Sequence, residues 1–224
     1  MARVIAFVVL AACGGPSTLP APPPYTPAAS PEAATACPDQ REKANQAREA
    51  VLEDETAARR ETVATAVFAH AECERVQLDQ RVVQAPTQAQ LIEQIRDARL
   101  QYQNALNLYQ EVANYEVLRW TVGARSRAGD LELAFGDLLR AARPPDDMTS
   151  SDERAGFLAE LGDLAQNFDA NAVAAHTAAL ETAALVPTLA TEDARVRAWI
   201  AASCRALVRF GVPAGRDAGM CRTG

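Results

Sequence analysis

The chain has 224 residues, 49% of them apolar, which is enough for one domain with a buried core. Its 22 basic residues face 29 acidic ones, for a net charge of −7, and that balance does not suit a nucleic-acid binder.

The first element is the apolar run Val4 to Leu10. It falls far short of the roughly 20 residues a spanning helix needs. It reads as the hydrophobic part of an export signal over residues 1–12, with Arg3 as its basic residue. The run ends in Leu10-Ala11-Ala12-Cys13, which resembles the lipobox of bacterial lipoproteins at all four positions. Small residues let an extended backbone enter a narrow peptidase groove, and the thiol is the nucleophile for lipid transfer. The resemblance implies that Cys13 becomes the N-terminus and carries acyl chains of the palmitate type. At about 0.8 kcal/mol per buried methylene, several such chains make a stable anchor. Gly14, standing where inner-membrane lipoproteins usually have aspartate, points to the outer membrane, with the protein facing the periplasm. The alternative is an ordinary cleaved secretory signal in which Cys13 is incidental.

Residues 13–37 form the lipidated cysteine and its linker. Gly14 to Ala36 holds seven prolines and little apolar bulk, so burial cannot offset its ordering entropy and a disordered tether is expected. The helical domain is expected over 38–224. From Asp39 to Ala85 there is neither glycine nor proline, which predicts a long first helix with a thin face of small residues. Pro86 ends it, and Thr87 with Gln90 forms a capping box. Leu91, Ile95, Ala98, Tyr102, Ala105, Tyr109 and Val112 then trace a seven-residue seam. A similar rhythm runs from Val117 to Ala142, with a possible turn near Asn114, before Pro144 and Pro145 stop it. Ser150 and Glu153 open another helix along Phe157, Leu161, Leu164 and Phe168, which lasts until Pro187. Thr191, Glu192 and Asp193 cap the last helix, whose Val196, Trp199, Ile200 and Leu207 face inward until Gly211 and Pro213.

No segment alternates with period two, so the expected fold is all-α, built of antiparallel helical hairpins or a bundle. Tyr102, Ala105 and Tyr109, followed by Trp120 and Gly123, resemble the tetratricopeptide repeat, which implies paired helices. The plan of lipobox, proline-rich tether and helices rich in alanine and arginine is similar to envelope lipoproteins of myxobacterial type, which implies a periplasm-facing scaffold.

With Cys13 given to lipid, Cys37, Cys73, Cys204 and Cys221 remain, an even number for an oxidising compartment. Cys204 with Cys221 is the favoured bridge, because the glycines and proline after Phe210 let the tail double back. In one unbroken helix Cys37 and Cys73 would stand about 54 Å apart. Either they stay reduced or that helix is broken, and the alternatives are the crossing pairings that join both ends of the chain. No metal site is expected: His70 shares a helical face with Cys73 and Glu74, but a solvated histidine beside an acid is the simpler reading, and His176 reads as packed or partly exposed rather than catalytic. No cofactor and no catalytic residue is assigned. Trp120 and Trp199 are candidate interface anchors, or else core. The function expected is that of a noncatalytic lipid-anchored scaffold for an envelope protein. The alternative is a periplasmic bundle that binds a small ligand or metal, or an enzyme with an acidic cleft. A deep apolar pocket would favour the second, a concave face of arginine and aromatic residues the first.

Overall fold

The structure is a computed structural model describing residues 37–212 and residue 221. The expected export signal, Cys13 and the proline-rich segment lie outside the described residues. Seven helices make up the described chain, with no strands: α1 Cys37–Glu53, α2 Ala57–Asp79, α3 Gln88–Asn114, α4 Leu118–Ala141, α5 Ser151–Ala184, α6 Pro187–Glu192 and α7 Ala194–Arg209. Successive helices pack as antiparallel hairpins, and α4 is the hub, in contact with α2, α3, α5 and α7.

The stretch expected as one long helix divides at Asp54–Thr56 into α1 and α2. Glu53, Asp54 and Glu55 place three like charges at a helix C-terminus, where the macrodipole disfavours them. Thr56 takes extended backbone angles and its hydroxyl accepts the Arg59 N–H, so α2 opens with its own cap. The Arg59 guanidinium turns back to donate to the Ala50 carbonyl, satisfying one acceptor that the end of α1 leaves open. This break lets α1 fold back on α2, and Cys37 meets Cys73 with their Cα atoms 5.5 Å apart.

α2 also ends at Asp79, short of the end expected at Pro86, and Pro187 opens the short α6, which takes in Thr191 and Glu192 and leaves Asp193 alone to cap α7. Three helix starts follow the local signals. Thr87 and Ser150 accept the N–H groups of Gln90 and Glu153, each at 3.4 Å. Asp193 accepts from Arg195 and Val196 at 2.8 and 3.3 Å. The chain turns between α3 and α4 at Glu116, whose φ of 58° ends α3 in the left-handed region. Gly211, with φ of 64°, ends α7 in a Schellman motif: its N–H reaches the Val208 carbonyl at 3.0 Å, and that of Val212 reaches Leu207 at 3.1 Å. Cys204 and Cys221 then bridge with Cα atoms 5.6 Å apart.

The α3 seam is buried as expected from Leu91 to Val112, with Ile95 at its margin. On α5 the stripe shifts by one residue at its middle, burying Ala165 and leaving Leu164 44% exposed. The resemblance region Tyr102 to Gly123 is the α3–α4 hairpin. Two aromatic groups occupy the core. Phe68 packs against Tyr109, Trp120 and Trp199 with centroids 5.0–5.8 Å apart, and Tyr102 meets Phe135 and Phe168 at 4.9 and 5.4 Å. Gly123 is required by the first group, since a Cβ there would lie 2.7 Å from the Trp199 ring.

Candidate functional site

Two places concentrate chemistry: a sealed polar chain through the centre of the bundle, and a cleft at one side.

The sealed chain begins on α2. Glu72 and Arg75 are three residues apart on the face that also carries Val67, Ala71 and Leu78, so both turn inward, each 2% exposed. Arg75 binds Asp79 at 2.6 Å and Glu72 at 3.4 Å, and Tyr109 donates its hydroxyl to Glu72. Burial alone pulls the Arg75 guanidinium towards neutrality, but Glu72, Tyr109 and Asp79 outweigh it and its pKa ends above the ordinary arginine value. From α4, Arg127 approaches Glu72 at 3.4 Å and binds Asp130 at 2.8 Å. The Asp130 carboxylate lies 3.7 Å from His176 Nε2, and His176 Nδ1 is 3.1 Å from the Ser203 hydroxyl. Ser203 donates to Ser126, and Ser126 to the Trp199 carbonyl.

Asp130, His176 and Ser203 are the residue types of a hydrolytic triad, but the arrangement is closed. His176 and Ser203 are fully buried and Asp130 is 1% exposed, so no acyl group reaches the hydroxyl. The ring lies directly on Gly129, where a Cβ would be 2.6 Å from it. Burial lowers the His176 pKa, keeping the imidazole neutral. These contacts tie α2 to α3 through Tyr109–Glu72, α2 to α4 through Arg127–Glu72, α4 to α5 through Asp130–His176, and α5 and α4 to α7 through Ser203, while Arg75 pairs within α2. Glu132 on α4 works similarly, accepting from Tyr102 at 2.7 Å and Asn171 at 3.5 Å.

The cleft encloses about 330 Å³ between the start of α2, the start of α4 and the start of α7. Glu61 and Thr65 come from α2, Arg119 and Trp120 from α4, and Arg195 and Trp199 from α7, whose cap Asp193 completes the wall. One oxygen of Glu61 collects three donors: Arg119 through Nε at 2.8 Å and through Nη2, and the Trp120 indole. The Arg195 guanidinium lies over the Trp120 ring, 5.7 Å from its centroid.

The residues singled out in the sequence fall as follows. Cys13 is outside the described residues. Cys204–Cys221 forms, and Cys37–Cys73 forms as well, through the broken-helix alternative. Cys73 is therefore not a metal ligand beside His70, which is buried rather than solvated, its Nε2 3.5 Å from Glu74. Among the described residues no group of three or more metal-binding side chains converges. Of the two readings of His176, packed or partly exposed, the structure has the packed one. Trp120 and Trp199 are 5% and 7% exposed, so they are chiefly core, and both also line the cleft. Sequence reasoning missed Glu72, Arg75, Arg127 and Asp130. Their signal was present, as opposite charges three residues apart on helix faces otherwise apolar. No helix among the described residues is long and apolar enough to cross a membrane. No protein-family model matches this chain, and no curated protein or solved structure matches it either.

Proposed function

We propose that this protein is a noncatalytic, lipid-anchored helical scaffold that binds a protein partner in the bacterial cell envelope. The observation that carries the reading is the cysteine pairing. Two bridges take up Cys37, Cys73, Cys204 and Cys221, which suits an oxidising compartment and leaves Cys13, in the lipobox, for acylation. The bridges sit at both ends of the described domain, where they fasten the segment that follows the tether and the tail that follows α7. The interior supports a scaffold role, because its charged groups are spent on one another and brace the helices. The cleft supports partner binding, since arginine and tryptophan are the side chains that most often anchor protein interfaces.

Mass spectrometry of protein purified from membranes tests the anchor. The expected result is a mature N-terminal Cys13 carrying acyl chains, and an unmodified Cys13 in protein released freely from cells overturns it. A pull-down from detergent-solubilised envelopes, with Cys13→Ala as control, tests the scaffold. Recovery of one stoichiometric partner is expected. Recovery of none, together with measurable turnover of a substrate, overturns the noncatalytic reading.

A further inference from the structure

Glu72 and Asp130 are buried against guanidiniums. Glu132, the remaining buried acid among the described residues, is not. It is 5% exposed, and its carboxylate accepts from two neutral groups, the Tyr102 hydroxyl at 2.7 Å and the Asn171 amide at 3.5 Å. Burial pushes its carboxyl above the usual range, and among the described residues no cation pairs with it to offset that cost.

Its place decides what can reach it. α3 and α5 flank α4, and Tyr102 and Asn171 bind Glu132 from either side, so the carboxylate stands on the floor of the groove between them. Towards the end of α4 the floor is closed, because Phe135 packs against the Tyr102 and Phe168 rings at 4.9 and 4.8 Å. Towards the start of α4 it is open. Ala128 and Arg125, one and two turns back on the same face, are half-buried and exposed, and the walls carry half-buried Leu106, Ala175 and Ala178. Arg125 is spent on neutral acceptors, the Ala178 carbonyl and the Thr182 hydroxyl. Asn171 is exposed, and a contact of 3.5 Å is the outer limit of a hydrogen bond, so a stronger donor displaces it.

We propose that Glu132 receives a lysine side chain of the partner protein, which enters the α3–α5 groove along Ala128 and replaces Asn171 at the carboxylate. This rests on the partner-binding reading above and names the partner's chemistry. An anion would meet an acid that has no counter-ion, and an apolar group would leave that acid uncompensated, whereas an ammonium supplies the missing charge. Lysine fits better than arginine. Tyr102 already holds Oε1, so a two-pronged guanidinium finds no free pair of oxygens, while a point-like ammonium needs only one. The small side chains of Ala128, Ala175 and Ala178 accommodate its apolar stem.

The full chain in detergent is titrated calorimetrically with acetyl-Ala-Lys-Ala-amide and with its norleucine counterpart, from about pH 8 to 5, a range in which lysine keeps its charge. The groups facing the carboxylate are Tyr102 from α3, with Arg99 near it, Arg125 on α4 and Asn171 from α5. Burial raises the Tyr102 pKa, so the group that titrates here is Glu132. The expected result is saturable binding of the lysine peptide alone, weakening as acid protonates Glu132. Glu132→Gln keeps an acceptor for Tyr102, so it should melt no lower than the native chain, yet bind about tenfold or more weakly and without that pH dependence. Asn171→Ala, which clears the mouth, should bind at least as tightly. No binding, equal binding of both peptides, unchanged affinity in Glu132→Gln, or weaker binding in Asn171→Ala each overturn the proposal. The two readings separate in the pull-down. A partner recovered equally by the native chain and by Glu132→Gln sinks the groove and keeps the scaffold, whereas peptide binding without any recovered partner sinks the scaffold.

Discussion

Replacing both members of the first bridge, Cys37→Ser with Cys73→Ser, tests how α1 is held. The bridge closes a loop of 36 residues, and the loop-entropy relation gives about 4 kcal/mol for that length. Little else fastens α1. Apart from Cys37, only Ala44 is fully buried on it, with Ala47 and Val51 packed partly against the core. One buried methyl contributes about 0.8 kcal/mol. The bidentate Arg48–Glu111 pair, 2.7 Å through each nitrogen, has side chains 28% and 31% exposed, a setting in which ion pairs contribute roughly 1 kcal/mol or less. The bridge therefore outweighs any single contact of α1. The assay is urea denaturation combined with hydrogen exchange. The double variant should lose up to about 4 kcal/mol, and the amides of α1 should exchange much faster while those of α4 stay protected. Removing Cys204–Cys221, with its separation of 17 residues, should cost about 3 kcal/mol without exposing α1. If α1 keeps its protection and the loss stays below about 1 kcal/mol, packing holds the helix and the loop argument fails.

Gly129→Ala should destabilise by about 1–3 kcal/mol, because its Cβ would lie 2.6 Å from the His176 ring. Gly162→Ala, where nothing lies within 4 Å, should instead stabilise by about 0.5–1 kcal/mol, and thermal melts of the pair check both signs. Glu116→Gly should stabilise by about 1 kcal/mol, since it relieves a left-handed residue at φ 58° at the α3–α4 turn. Burial lowers the His176 pKa in the folded state, so below about pH 6.5 the unfolded chain takes up a proton that the folded one refuses. Stability from this group is complete above that pH and falls as the solution is acidified. The groups facing the ring are Asp130, Arg127 and Ser203. Denaturation of native protein and His176→Gln between pH 7 and 5 should show a flatter dependence in the variant, and parallel curves would refute the assignment.

The candidate sites were unevenly legible. Cys204–Cys221 could be read because its partners are 17 residues apart, with turn-forming residues between them. Cys37–Cys73 depended on whether a helix broke, and the break rests on Arg59 reaching back to Ala50 as well as on the Thr56 cap. The tryptophans illustrate a different limit. Composition marks them as large and amphipathic, but whether they meet water or Phe68 depends on how α2, α4 and α7 approach each other. Of the cleft, the sequence marked only the two tryptophans; that Glu61, Arg119 and Asp193 join them was not legible, since these residues come from three helix starts distant in sequence.

What the sequence by itself determined is the all-helical character and most helix boundaries. Caps at Thr87, Ser150 and Asp193, the stop before Pro144, and the Gly211 terminus are interactions among residues a few positions apart, so the chain carries them whatever surrounds it, whereas α2 ends at Asp79, well short of Pro86, and Pro187 opens α6. What only the tertiary structure decided is which charges go inside. Glu72, Arg75, Arg127 and Asp130 would be solvated on an isolated helix; Glu72–Arg75 and Arg127–Asp130 pair within their own helices, and only packing brings Arg127 to Glu72 and His176 to Asp130, joining the two pairs in a buried chain. Desolvation is set by every neighbour at once, and those neighbours come together only when the hairpins pack.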